Sequence, residues 1–206
     1  MAETVAPIPD GRGKVPAFTE DPWTRVQSLH GLPGDELRSA LQKSIRRGLL
    51  ENALLVGYEL FQTGPDAERL LWERLQIISV EDVGFGRLES PVLVEALHRM
   101  HDQFPWPGGE RFLFAAHAIR LLVTSPKDRT TDELVNWVSH LVDDEDVRPE
   151  IPDVALDVHT RRGQQMGRGL AHFLADGAQV ENEVQDRDLT YRRRLLALHG
   201  ISEELA

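Results

Sequence analysis

One stretch constrains the fold more than any other. Residues 70–86 read LLWERLQIISVEDVGFG, so that an acidic pair follows a strongly apolar helical pattern. At about 100° per residue, three apolar side chains share the helix face of Asp82. They precede it by eleven, seven and four positions and are Leu71, Leu75 and Ile78. Asp82 is therefore predicted to point into the core, with Glu81 nearer the margin of the same face.

A carboxylate among leucines needs a cation or several hydrogen-bond donors, because an unpaired buried charge costs at least several kcal/mol. We therefore expect an arginine or a set of backbone amides at this helix end, which Gly84 and Gly86 terminate. The pattern favours a structural ion pair. A catalytic or ligand-binding role for Glu81 or Asp82 stays open.

Length and patterning indicate one helical domain. The chain has 206 residues, of which 41% are apolar and 28% charged, enough for one substantial core. We expect a flexible arm over residues 1–21, the domain over 22–199 and a loose end over 200–206. A short helix is predicted over 23–32, and longer helices begin near positions 35, 50, 70, 90, 110, 131 and 188. No strand-like alternation is sustained, so the predicted class is an all-α multi-helix bundle.

The charge and the missing motifs exclude several function classes. A formal charge of −11 argues against a general DNA or membrane-surface binder. The chain has no cysteine, no apolar run of about 18 residues and no signal-peptide pattern. Gly11, Gly13 and Lys14 lack the spacing and the following Ser/Thr of a phosphate-binding loop. We expect a cytoplasmic protein with no cofactor and little direct DNA binding.

Two histidines lie at a spacing that metal sites use. His98 and His101 are three positions apart on the helix that begins at Ser90, but no third ligand is readable. A pair of half-buried or surface histidines is the favoured interpretation. His117, between Leu113 and Leu121, is predicted to be a hydrogen-bonded core residue.

Residues 151–183 differ in character from the helices. Glycines, arginines and histidines are mixed there in a way that packing alone does not require. The segment predicts either a loop that binds an anion or arginines that pair with Glu81, Asp82 or the acidic run 143–146. The candidate anion-binding residues are Arg161, Arg162, Gly163, Gly167, Arg168 and Gly169. His159 and His172 are candidate acid/base groups beside them.

Three segments carry a resemblance to a known family. Residues 39–46, SALQKSIR, resemble the Ser-Ala-Phe-x-Lys-Ser-Ile-Arg opening of the helical C-terminal region in replication-associated recombination protein A. That family is a group of AAA+ ATPases related to clamp loaders. Residues 78–84, ISVEDVG, are similar to its Ile-Ala-Ser-Glu-Asp-Ile-Gly, and residues 125–127, SPK, to its Ala-Pro-Lys. The order and spacing agree over residues 38–169.

The resemblance implies a stand-alone helical domain of the clamp-loader collar type. In the relatives this domain forms tetramers and supports work at stalled replication forks, so a homo-oligomer and replication or repair partners are expected. The family's ATPase module is absent here. Its Asn-Ala-Pro-Thr-Lys and Gly-Tyr-Gly are replaced by DVHTR at 157–161 and GRG at 167–169.

Two functions from different classes follow. The first is a non-catalytic oligomeric assembly or interaction domain of DNA replication and repair. The second is a small-molecule-binding protein or enzyme that holds an anionic ligand at the 157–172 segment, with Glu81 or Asp82 as the acid/base.

Overall fold

The structure is a computed structural model that describes residues 21–202, and it is all-helical. The predicted fold class is confirmed, since no strand forms within 21–202 and the only extended pairing there is an isolated bridge between Gln27 and Pro33. The expectations for the N-terminal arm, including Gly11, Gly13 and Lys14, lie outside the described residues. Within the described residues, none of the helices combines the length and apolarity needed to cross a bilayer.

The described chain divides into two compact units, 21–144 and 145–202, where the sequence predicted one domain over 22–199. The first unit opens with a 3₁₀ turn over Pro22–Arg25 and continues through six α-helices. These are α1 (Gly34–Arg46), α2 (Leu50–Thr63), α3 (Pro65–Ile78), α4 (Ser90–His101), α5 (Gly109–Thr124) and α6 (Thr130–Asp143). The predicted helix over 23–32 is limited to that turn, because the chain folds back between Ser28 and Leu32.

The core of the first unit lies among α1, α2, α3 and α5, with α4 packed on α5. The stripe predicted for α3 is confirmed, since Leu71, Leu75, Ile78 and Asp82 are all fully buried. The helix does not stop at Ile78: a π-helical turn over Ser79–Val83 carries the acidic pair. The connections within α1, α2 and α3 are short, as expected for neighbouring helices.

The prediction that His117 is a core residue of α5 is wrong, and Ser90 at the start of α4 has an unsatisfied side chain. Ser90 is the first helical residue of α4 and does not cap it, and its hydroxyl is buried without a hydrogen-bond partner among the described residues. His117 is exposed, because the buried side of α5 is formed by Ala115, Ala118 and Ile119. Its neighbour Leu113 is 67% exposed, so the leucines around His117 do not mark the core face.

Helix α6 is amphipathic as predicted, but its apolar face is not buried. None of its residues belongs to the core. Six large apolar side chains share one side of the helix at about 100° per residue. They are Leu134, Val135, Trp137, Val138, Leu141 and Val142.

The second unit contains shorter elements. A 3₁₀ turn over Asp153–Ala155 precedes α7 (Arg161–Gln165) and α8 (Leu170–His172). A π-helical turn over Phe173–Gly177 extends α8, and α9 (Thr190–Leu198) follows. Its buried apolar residues are Leu156, Leu174 and Leu196, so this unit has a small core.

Replacing Gly163 by alanine should destabilise the second unit. A Cβ at Gly163 would overlap the Asp157 carbonyl oxygen and lie 2.5 Å from the Asp157 nitrogen, and backbone atoms cannot move aside cheaply. We expect a loss of about 1–3 kcal/mol in the free energy of unfolding. Native-state hydrogen exchange of amides in α7 measures it. Gly169→Ala is the control, since a Cβ there meets open space. If the amides of α7 were equally protected in both variants, the close approach of the Asp157 backbone to Gly163 would be contradicted.

Candidate functional site

A fully buried carboxylate lies at the end of α3. Asp82 accepts a hydrogen bond from Gln42 Nε2 at 2.9 Å, a second from Arg129 Nη1 at 2.9 Å and a third from Arg46 Nε. The predicted inward direction of Asp82 and the predicted arginine partner are both confirmed. The charge is matched by two guanidinium groups, which is what a desolvated carboxylate requires.

Glu81 shares the same two arginines. Arg46 Nη2 donates to Glu81 Oε1 at 3.0 Å, and Arg129 Nη1 lies 3.3 Å from the same oxygen. Burial by itself would lower the pKa of Arg129, but the hydrogen bonds to Asp82 and Glu81 raise that pKa above its ordinary value. We call Gln42, Arg46, Glu81, Asp82 and Arg129 the Asp82 cluster.

Three separate segments position the cluster. Gln42 and Arg46 are one turn apart on α1, so both side chains reach the end of α3. Arg129 comes from the loop before α6, where its second nitrogen pairs with Asp132. The cluster therefore joins α1, α3 and α6 through side chains alone.

The backbone of the loop 125–128 is fixed against the same helix end. The Asp128 amide donates to the carbonyl oxygens of Asp82 at 3.0 Å and Val83 at 3.2 Å. Gly84 has a φ of +49°, and a Cβ there would overlap the Asp128 carbonyl oxygen. Lys127 donates from Nζ to the carbonyls of Leu122 at 2.8 Å and two others near the end of α5. Because the loop packs directly on Gly84 and Gly86, neither position has room for a side chain.

Asp82 itself is closed to substrates. The Asp82 side chain is 0% exposed, and its oxygens are occupied by three donors. An acid/base residue must reach the proton it transfers, directly or through one water. The geometry therefore gives Asp82 a role in holding helices together, and Glu81, 24% exposed at the side chain, is bound to the same arginines.

The C-terminal candidates belong to the second unit, where several hold backbone in place. Arg168 donates to the carbonyl oxygens of Asp153 at 2.7 Å and Leu156 at 3.0 Å, and it pairs with the Asp153 carboxylate. The sequence offered Glu81, Asp82 or the run 143–146 as partners of these arginines, within the chain or between subunits. Within the second unit the partner of Arg168 is Asp153. That pair also lowers the pKa of Asp153.

His159 and two of the glycines are held in place, whereas the Nδ1 of His172 is buried without a hydrogen-bond partner among the described residues. His159 hydrogen-bonds to Asp157 at 3.0 Å and packs edge-on against Phe173. His172 Nε2 lies 3.7 Å from Asp176. Gly163 is packed on backbone and Gly167 has a φ of +75°, so the backbone requires a glycine at both positions.

Three of the anion-binding candidates remain open. Arg161 and Arg162 are exposed and make no ion pair within the part of the chain that the structure describes. Gly169 has an extended backbone with space around it. Two guanidinium groups on the surface are by themselves a weak anion site, so the anion-binding role of this segment stays a prediction.

The weak metal candidates His98 and His101 lie in an aromatic cluster. Both rings pack on Trp72, with centroids 5.0 Å and 4.6 Å from it. His101 is 2% exposed, and its Nδ1 hydrogen-bonds to the His98 carbonyl, so that Nε2 faces Asp102 at 3.4 Å. Among the described residues, only His98, His101 and Asp102 bring three metal-binding atoms within 4.8 Å of one another.

A guanidinium group already occupies the charged side of this cluster. Arg111 Nε lies 2.8 Å from both carboxylate oxygens of the buried Glu68, and its Nη2 lies 3.2 Å from Asp102. A divalent ion there would face this cation, which favours a structural cluster over a metal site. The sequence did not indicate Glu68 or Arg111, because their pairing joins α3 to α5 across 43 positions.

Neither a scan against protein-family models nor a search of the curated proteins found a match to this chain.

Asp82→Asn should weaken the first unit substantially. The substitution keeps the shape but removes the charge that balances Arg46 and Arg129, and breaking a buried ion pair costs about 3–5 kcal/mol. Urea denaturation followed by far-ultraviolet circular dichroism measures the loss. Asp66→Asn makes the same chemical change in the exposed pair with Arg69 and should alter stability little. Similar losses in the two variants would show that the cluster does not hold the helices.

Acidification should destabilise the fold through His101. Burial holds the pKa of His101 below its ordinary value of 6.5. Below pH 6.5 the histidine of the unfolded chain binds a proton that the buried histidine of the folded chain does not bind. The free energy of unfolding is therefore unaffected by protonation of His101 above pH 6.5 and falls as the pH drops towards the pKa in the folded state.

His101→Asn should reduce that dependence, because an amide can keep a donor near the His98 carbonyl without titrating. Urea midpoints measured at several pH values between neutral and mildly acidic test this. His117→Asn, an exposed histidine on α5, is the control and should retain the wild-type slope. If the urea midpoint of His101→Asn depended on pH as strongly as that of the wild type, His101 would not be the group that causes the acid destabilisation.

Proposed function

We propose that this chain is a non-catalytic assembly domain that associates with further copies of itself and serves DNA replication and repair. The observation that carries the proposal is the uncovered apolar face of α6. Trp137 is 58% exposed and Val135 60% exposed, in a helix that contributes nothing to the core. A contiguous apolar face of this kind marks an interaction surface on a soluble protein.

The face suits a second copy of the same helix. Its six apolar residues form one side of α6, while Asp132, Glu133 and Asp143 lie on the remaining sides. Two such faces packed about a twofold axis would match apolar against apolar and keep the acids apart. A partner of opposite charge is not required by this arrangement.

A second group of exposed apolar side chains lies between α3 and α4 and in the first turn of α4. Phe85 is 78% exposed, Leu88 66% and Val92 69%. Phe85 lies between Gly84 and Gly86, which pack on Asp128 and Pro126, so it adjoins the loop that leads into α6. A stable interface buries about 800 Å² per partner, more than the 14-residue α6 offers by itself. Phe85, Leu88 and Val92 are further apolar area that an interface could bury.

The link to replication and repair rests on the resemblance to replication-associated recombination protein A. Arg46, Glu81, Asp82 and Gly84 lie in the matching segments and join at the Asp82 cluster. Lys127, from the third segment, holds the end of α5 beside it. The matching residues therefore have structural roles, which supports a shared helical framework without the ATPase activity. By the same resemblance we propose a tetramer.

The alternative is a protein that binds an anionic ligand at residues 157–172. Arg161 and Arg162 are the observation in its favour, as exposed guanidinium groups in an acidic chain. The engagement of Arg168 with Asp153 weakens it. We place it second.

Leu134→Glu should dissociate the assembly. A carboxylate in the centre of the apolar face would have to be desolvated in the interface, so the association constant should fall at least about tenfold. Sedimentation velocity over a concentration series measures this and gives the number of subunits. Leu55→Glu makes the same change at an exposed residue of α2 and should leave assembly intact. A wild-type chain that sediments as a monomer at all concentrations would overturn the proposal.

A further inference from the structure

A groove runs along the outer side of α3 in the first unit. Its volume is about 520 Å³, within the usual range for small-molecule sites. Trp23 forms one wall, and Ile77 and Val80, both more than 40% exposed, contribute apolar surface. Arg38 and Arg74 line the same groove, so it combines an aromatic and aliphatic surface with two guanidinium groups.

Arg74 is incompletely satisfied. Its Nη1 donates to the neutral Gln42 Oε1 at 3.2 Å, and its Nε is buried with no hydrogen-bond partner. It makes no ion pair within 4.0 Å among residues 21–202. Burial and the nearby Arg38 lower the pKa of Arg74, while Glu81, Asp21 and Glu73 act in the opposite direction. A half-buried cation with an unused donor normally has an anion beside it.

The neighbouring charges do not supply that anion. Arg38 is paired with Asp21, and Glu81 is bound to Arg46 and Arg129. Glu73 lines the groove but is exposed and forms no ion pair with Arg74. The positive charge of Arg74 is therefore the one in this groove that has no close carboxylate in the described residues.

We propose that this groove binds a small organic carboxylate whose apolar or aromatic body packs on Trp23, Ile77 and Val80. The carboxylate would accept hydrogen bonds from Arg74, with Arg38 as the second cation. The Nε and Nη2 edge of a guanidinium group binds carboxylates in a bidentate manner, and the buried Nε reaches the ligand only if the Arg74 side chain turns towards the groove. Nη1 would keep its link through Gln42 to the buried Asp82. This site is separate from the α6 face.

The test is a titration of the full chain with 4-phenylbutyrate and with its uncharged amide, followed by the indole N–H resonance of Trp23 in two-dimensional NMR. We expect saturable binding of the carboxylate with a dissociation constant of about 1 mM or tighter, and at least about tenfold weaker binding of the amide. Arg74→Gln should weaken carboxylate binding by at least about tenfold with the melting temperature little changed. Arg69→Gln, an exposed arginine on the same helix, should bind as the wild type does.

The outcomes separate cleanly. Equal binding of acid and amide would show an apolar cleft without an anion site, and unchanged binding in Arg74→Gln would place the carboxylate elsewhere. No saturable shift of the Trp23 resonance with phenylbutyrate, indole-3-acetate or phenyl phosphate would overturn the proposal. Saturation by phenyl phosphate alone would also overturn it, since the site would then select phosphate. None of these results bears on self-association.

Discussion

A carboxylate that is removed from water needs cations or strong hydrogen-bond donors around it, and Asp82 is fully buried among such donors. Its two arginines come from different parts of the chain, Arg46 at the end of α1 and Arg129 before α6. The carboxylate therefore determines where three elements meet. Unlike apolar packing, which tolerates small displacements, hydrogen bonds to a guanidinium group fix distance and direction together.

The cluster also explains why certain glycines and a proline-lysine turn occur where they do. The loop 125–128 can donate to the end of α3 only if Gly84 and Gly86 have no side chains. Lys127 then satisfies carbonyl oxygens that the end of α5 leaves without intrahelical partners. Gly84 and Lys127 belong to the segments whose resemblance to the replication-associated family stays a prediction. The motif thus describes a way of joining helices, and it is compatible with more than one activity.

Two features of the first unit have no complete set of partners within the described residues: the apolar face of α6 and the guanidinium group of Arg74. The apolar face of α6 is held outward because the opposite side of the helix carries Asp132, which is bound to Arg129 of the cluster. The Arg74 guanidinium is held at the groove by Gln42, another cluster residue. Satisfying Asp82 therefore leaves one apolar surface and one cation available for other molecules.

The sequence by itself determined the all-α class, most helix positions, the burial of Asp82 and its need for an arginine. These follow from short-range periodicity and from the cost of an unpaired charge, both readable along the chain. Only the tertiary structure decided that the arginines are Arg46 and Arg129, that Arg111 pairs with Glu68, and that the apolar face of α6 is exposed. Each depends on contacts between residues far apart in sequence. An amphipathic pattern shows that a helix has an apolar side, but what covers that side is a property of the assembled fold.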